Sequence, residues 1–243
     1  MRVDGLTIAL RPRPMAEAAD LGVLMVHRHA RSLWRCFLPV LAAATLLALA
    51  TLVLDDWLPG LLLFWLKPWM DRTLLFVLSR AAFGQETRWS DVWALRRSVL
   101  AGRLLPTLLW RRLSFCRAYT LPAEQLEGQR GPALAQRNRQ LLHGRFGAAM
   151  GVQWVFGTVE TVLLASALAL VAWLVPQGYG DELWRWVKQL DPQAGAIGAT
   201  LLYALVVALV EPFYVAAGFA MYLNRRVELE AWDIEQEFRR AFA

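Results

Sequence analysis

Residues 36–54 are nineteen consecutive positions without a charge. At 1.5 Å per helical residue, such a run is long enough to cross a hydrocarbon layer of ~30 Å. It begins too late and runs too long for a cleaved leader, and no small-residue cleavage site follows, so it reads as a retained first span. Further apolar stretches cover residues 57–83, 148–175 and 194–223. The composition agrees: 57% of the chain is hydrophobic, against about 45–50% for a soluble domain. Mean hydropathy is +0.36 with only 19% charged residues. That excess cannot sit inside one soluble core, which excludes a water-soluble globule, a disordered chain and a disulfide scaffold. The expected fold is an all-α polytopic membrane helix bundle of about four spans, with amphipathic interfacial helices.

The boundaries follow from charge. Residues 1–35 form a basic N-terminal segment, whose part from 15 to 35 is amphipathic and carries His27, Arg28, His29, Arg31 and Arg35; it suits a helix lying on the inner membrane surface. Residues 36–83 hold the first two spans. The second is interrupted by Lys67-Pro68-Trp69-Met70-Asp71-Arg72, and Pro68 predicts a kinked or broken helix at Lys67-Pro68. Residues 84–147 are a basic cytoplasmic or interfacial loop with eleven Arg against four acids. Within it, residues 99–113 read as an interfacial or re-entrant piece. Residues 148–223 hold the last two spans, joined by an outer loop with Trp184 and Trp186 at headgroup level. Residues 224–243 form an acidic amphipathic tail helix, with Val227, Ala231, Ile234 and Phe238 on one stripe. With both termini inside, the cytoplasmic side holds 22 Lys and Arg and the outer side two, Arg185 and Lys188. This is a strong positive-inside signal.

Five charges lie at membrane depth. Counted from the inner ends of their spans, Arg72, Glu160 and Glu211 each sit roughly 18 Å in, with Lys67 and Asp71 close to Arg72. Isolated charges there cost at least ~2.5–3.5 kcal/mol on insertion scales, so they turn inward and pair. The expectation is one buried cluster of Lys67, Asp71, Arg72, Glu160 and Glu211. Its net charge is −1 if all ionise, which calls for a proton, a cation, water or a further donor. Two readings stay open: a structural network locking helices in register, or an ion, proton or headgroup site.

The small residues Gly151, Gly157, Gly195, Gly198 and Gly218 allow close helix approach. Arg111, Arg112 and Arg117 suit either bidentate contacts to lipid phosphates or simple topology-setting charge. The acidic tail is expected against the basic loop or against another protein. Both cysteines, Cys36 and Cys116, fall on the cytoplasmic side, where thiols stay reduced. No motif for a nucleophile, phosphate loop, zinc site or dinucleotide appears, and no motif reads nucleic acid. His27 and His29 lack a third ligand. The expectation is therefore a non-enzymatic chain without catalytic residue, metal or cofactor.

Three stretches carry a family resemblance. They are Trp65-Leu-Lys-Pro-Trp-Met-Asp-Arg72 with Leu78-Ser-Arg-Ala-Ala-Phe-Gly84, Arg111-Arg-Leu-Ser114 with Leu121-Pro122 and Leu126-Glu127, and Glu211-Pro-Phe-Tyr-Val-Ala-Ala-Gly-Phe-Ala-Met-Tyr-Leu-Asn-Arg-Arg226 with Leu229-Glu-Ala-Trp-Asp-Ile-Glu235. They resemble uncharacterised proteobacterial inner-membrane proteins encoded beside a MoxR-type AAA+ ATPase, von Willebrand factor A proteins and a transglutaminase-like membrane protein. The last stretch is similar, more weakly, to the membrane domain of glycerophosphoryl diester phosphodiesterases. The resemblance implies a multi-pass protein of the bacterial inner membrane that docks AAA+ and von Willebrand factor A partners, using the basic loop and acidic tail. The alternative from the residues is a lipid- or ion-handling channel or transporter that uses the charged cluster. Membrane lipids are expected partners under either reading, and a homo-oligomer would supply the helices that four spans lack for transport.

Overall fold

The computed structural model describes residues 12–100, 104–109, 114–173 and 192–230, and no strand occurs among them. The helices are α1 (Met15–Arg28), α2 (Ala30–Leu49), α3 (Leu58–Ala81), α4 (Trp89–Ala94), α5 (Arg96–Val99), α6 (Leu104–Leu109), α7 (Arg117–Gln125), α8 (Gly131–Leu142), α9 (Phe146–Trp173) and α10 (Pro192–Glu230). A 3-10 turn, Ala50–Val53, extends α2. Three segments are long and apolar enough to cross a membrane: Ala30–Val53, Phe146–Leu170 and Pro192–Glu230. The 24-residue α3 has the length, at about 36 Å, but Lys67, Asp71 and Arg72 dilute its apolar character. Its charged middle is buried by neighbouring helices instead.

The expected break at Lys67-Pro68 is absent, because α3 runs through Pro68 without interruption. The same holds at Pro39 in α2 and Pro212 in α10. An internal proline removes one backbone donor and crowds the preceding turn, at roughly 3 kcal/mol. Pro68 and Pro212 are both buried, and the packing around them holds each helix in one piece.

The organising element is α10. Its 39 residues reach about 58 Å, nearly twice the hydrocarbon layer. Up to Ala199 it is largely exposed and apolar, whereas between Val206 and Asn224 only Leu209 is exposed. That second half is wrapped by α1, α2, α3, α7 and α9. The helix also continues through residue 224 to Glu230, where the sequence suggested a separate tail. Val227 is buried; Ala231, Ile234 and Phe238 lie outside the described residues.

Helix α1 runs antiparallel along α10. The Arg13 amide donates to Asn224 Oδ1 and Asn224 Nδ2 donates to the Arg13 carbonyl, both at 2.9 Å. Further along, the His27 and Phe213 rings lie 5.5 Å apart. Between these points Gly22 meets the Ala216–Ala217 backbone so closely that any β-carbon would clash. Met15, Ala18, Gly22, Met25 and Val26 form the buried stripe. The amphipathic pattern read as a surface helix thus belongs to a helix packed on protein, because periodicity reports an apolar face and not what covers it.

Within the segment 84–147 the described residues form the short helices α4 to α8 and the start of α9. Among them α7 is driven into the core, where Ala118 sits against Gly218 with no room for a side chain there. Gly151, Gly157, Gly195 and Gly198 have open space beside them instead. Both cysteines are free and buried. Arg111, Arg112, Trp184 and Trp186 lie outside the described residues.

Candidate functional site

The charges of α3, α9 and α10 meet at Lys67. Its ammonium lies 2.6 Å from Glu160 Oε2 and 2.7 Å from Glu211 Oε2. Glu160 Oε1 also accepts from the Tyr203 hydroxyl at 2.8 Å. One turn below Lys67 on α3, Asp71 is fully buried. Four residues bring it to the same helix face as Lys67.

The second cation of this cluster is Arg117 at the start of α7, not Arg72. Arg117 Nη2 donates to Glu211 Oε1 at 2.7 Å, and its Nε lies 2.7 Å from Asp71 Oδ2. The Nε–H is not aimed well enough to make a hydrogen bond, so that contact is one of charge. The guanidinium also lies 5.1 Å from the Tyr214 ring centre. The Tyr214 hydroxyl accepts from the Ala118 amide at 3.2 Å and donates to Gln153 on α9. Lys67, Asp71, Glu160, Glu211 and Arg117 therefore form one chain of opposite charges.

Arg72 points the other way. Its Nε and Nη2 donate to the Val99 and Ser98 carbonyls, both at 2.9 Å, and Nη1 to Thr107 at 3.4 Å. Glu124 of α7 stands 3.9 Å from it. Arg72 thus satisfies the carbonyls that end α5 and ties the α5–α6 stretch to α3. The reason is helical geometry: Lys67 and Asp71 share a face, and the neighbouring position 72 is rotated about 100° from Asp71. Arg117 gave little signal in a segment of eleven arginines, but its flanks did. Phe115, Cys116, Ala118 and Tyr119 set it in an apolar and aromatic run, as Leu108, Leu109, Trp110 and Leu113 do for Arg111 and Arg112.

Two cations face three carboxylates in the observed cluster, a formal charge of −1 if every member ionises. Side-chain exposure is 6% for Lys67, 3% for Arg117, 1% for Glu211 and zero for Asp71. Glu160, at 16%, is the most accessible member. It faces a crevice of about 1020 Å³ walled by α3, α9 and α10, with Lys67, Arg117 and Glu160 at its floor. Trp57, Phe64, Phe115, Trp154 and Tyr203 supply aromatic surface to its walls.

A second polar network sits at the C-terminal end of α10. Arg137 of α8 donates twice to Glu127, both at 2.7 Å, and once to Glu230 at 2.6 Å. Arg226 pairs with Glu230 and Arg225 with Glu228, and Arg145 reaches Glu228 at 3.1 Å. Paired carboxylates hold the Arg137 guanidinium above its already high ordinary pKa, the Glu127 hydrogen bonds contributing most. As far as it is described, the acidic end of the chain is thus satisfied by the basic segment.

Comparison with protein-family models, with characterised proteins and with solved structures produced no match. The functional reading accordingly rests on the geometry of this chain.

Proposed function

We propose that this protein is a four-span protein of the bacterial inner membrane, with both termini in the cytoplasm, that takes an amphiphile into the crevice between α3, α9 and α10. The observation that carries this reading is an open space whose walls are mainly apolar and whose floor is an ion network. Binding pockets combine apolar walls with a few convergent polar groups in this way. Charges in spanning helices mark substrate or ion paths by default. The long, buried α3 supports a fourth span, held among protein rather than lipid.

A photoreactive acyl lipid incorporated with the protein in vesicles tests the reading. Labelling is expected to concentrate in residues 154–164 and 196–203. Label spread evenly over the apolar surface of α9 would count against the crevice. Transport is tested with Glu160→Gln and Glu211→Gln in the same vesicles. If an active wild type keeps its flux in both variants while only stability changes, the network is structural.

A second reading has one observation in its favour. Gln136 and Gln140 are exposed and line a polar cleft of about 560 Å³ together with the Arg137–Glu127–Glu230 network, and Arg130 and Arg139 are exposed on the same segment. Such a face suits docking of AAA+ or von Willebrand factor A proteins, as the family resemblance implies. Pull-down from native membranes should recover them; recovery of only lipid-synthesis or transport proteins argues against it.

A further inference from the structure

The charge balance at the crevice floor restricts what enters. Lys67 and Arg117 each hold two carboxylates already, and neither has more than 6% of its side chain exposed. An incoming phosphate or sulfate would meet no uncommitted cation in this cluster. The exposed member is an anion, Glu160, which accepts one bond from Lys67 and one from Tyr203. A carboxylate has about four lone-pair sites, so acceptor capacity remains on Glu160. Asp56 adds another negative group to the wall. Tyr203 touches this carboxylate, Trp57, Phe64, Phe115 and Trp154 line the same crevice, and aromatic faces attract ammonium groups by cation–π interaction.

We infer that the crevice selects a lipophilic cation: an amphiphile of net positive charge whose ammonium head lies at Glu160 beside Tyr203 and whose apolar part lies along the aromatic and aliphatic walls of α9 and α10. This rests on the crevice reading above and adds the sign of the ligand. Glu160 is the accessible charge at this floor, so a positive head gains an opposite charge there, whereas an anionic head meets a carboxylate at close range and a zwitterionic head brings its own anion with it.

The test is competition against the photoreactive acyl lipid in neutral vesicles. Dodecyltrimethylammonium, dodecyl sulfate, dodecylphosphocholine and dodecyl maltoside are compared at equal membrane concentration. The cationic amphiphile is expected to displace label at a roughly tenfold lower concentration than the other three. Glu160→Gln should remove that advantage and leave displacement by the maltoside unchanged. Trp154 is 67% exposed, so Trp154→Ala spares the fold and should weaken the cation severalfold if Glu160→Gln proves unstable. Equal or stronger displacement by the sulfate or the phosphocholine overturns the inference, as does a Glu160→Gln protein that is folded and keeps the cation preference. Absence of crevice labelling in any condition instead defeats the underlying amphiphile reading.

Discussion

Arg117 sits between Asp71 and Glu211, and Lys67 between Glu160 and Glu211, so removing Arg117 strands Asp71, removing Lys67 strands Glu160, and either change leaves Glu211 with one cation. Breaking a buried pair from one side costs about 3–5 kcal/mol, because the surviving charge has lost its partner and gained no water. Arg117→Met should therefore lower thermal stability in detergent by that order. The double variant Arg117→Met/Asp71→Leu should recover part of the loss, since one orphaned carboxylate is gone. A double variant no more stable than Arg117→Met would show that Asp71 does not depend on Arg117. A second prediction concerns Cys116, at the start of α7. Burial pushes its thiol pKa up, which lowers the thiolate fraction at any given pH. Maleimide should modify it far more slowly in the folded protein than after denaturation, with the rate still rising at pH 9. Rapid labelling of native protein at pH 7 would contradict the buried environment. At this scale the sequence exposed four of the five cluster members, because charges inside apolar stretches announce themselves. Arg117 was hidden by the ten other arginines around it.

The elements are fitted to one another through two glycines. Gly22 faces the Ala216–Ala217 backbone and Gly218 faces Ala118, so α1 and α7 reach α10 at points where no side chain fits. Gly22→Val and Gly218→Val should each cost about 1–3 kcal/mol by overpacking, read as loss of thermal stability. Gly151→Ala, on a helix face with open space beside it, should be neutral or stabilising by up to ~1 kcal/mol. Equal losses in all three variants would mean that the close approaches do not matter. Spacing of glycines along the chain could not separate these cases. The open and the crowded ones both lie in apolar helices, and only the position of a second helix distinguishes them. The prolines teach the same lesson in reverse. Pro68 signals a break by local chemistry, yet the buried surroundings of α3 keep the helix continuous.

Across the whole molecule, α10 divides between an exposed apolar stretch and a half encased by other helices. The polar network of Glu127, Arg137, Arg226 and Glu230 closes the encased end. Arg137→Ala removes the residue that bridges Glu127 to Glu230, so hydrogen exchange at residues 224–230 should quicken while residues 206–220 stay protected. Uniform exchange change along α10 would deny the network that local role. The sequence by itself determined that this chain is helical and carries stretches long and apolar enough to cross a membrane, since hydropathy and the run of uncharged residues depend only on which side chains follow one another. It also determined that charges from α3, α9 and α10 must find partners, because leaving them single in an apolar layer is too costly. Only the tertiary structure decided which partners they found. It exchanged Arg72 for Arg117, packed the amphipathic α1 and the short α7 against α10, and left a crevice beside Glu160. These outcomes depend on the directions in which distant helices approach, and a one-dimensional pattern of apolar and charged residues does not carry those directions.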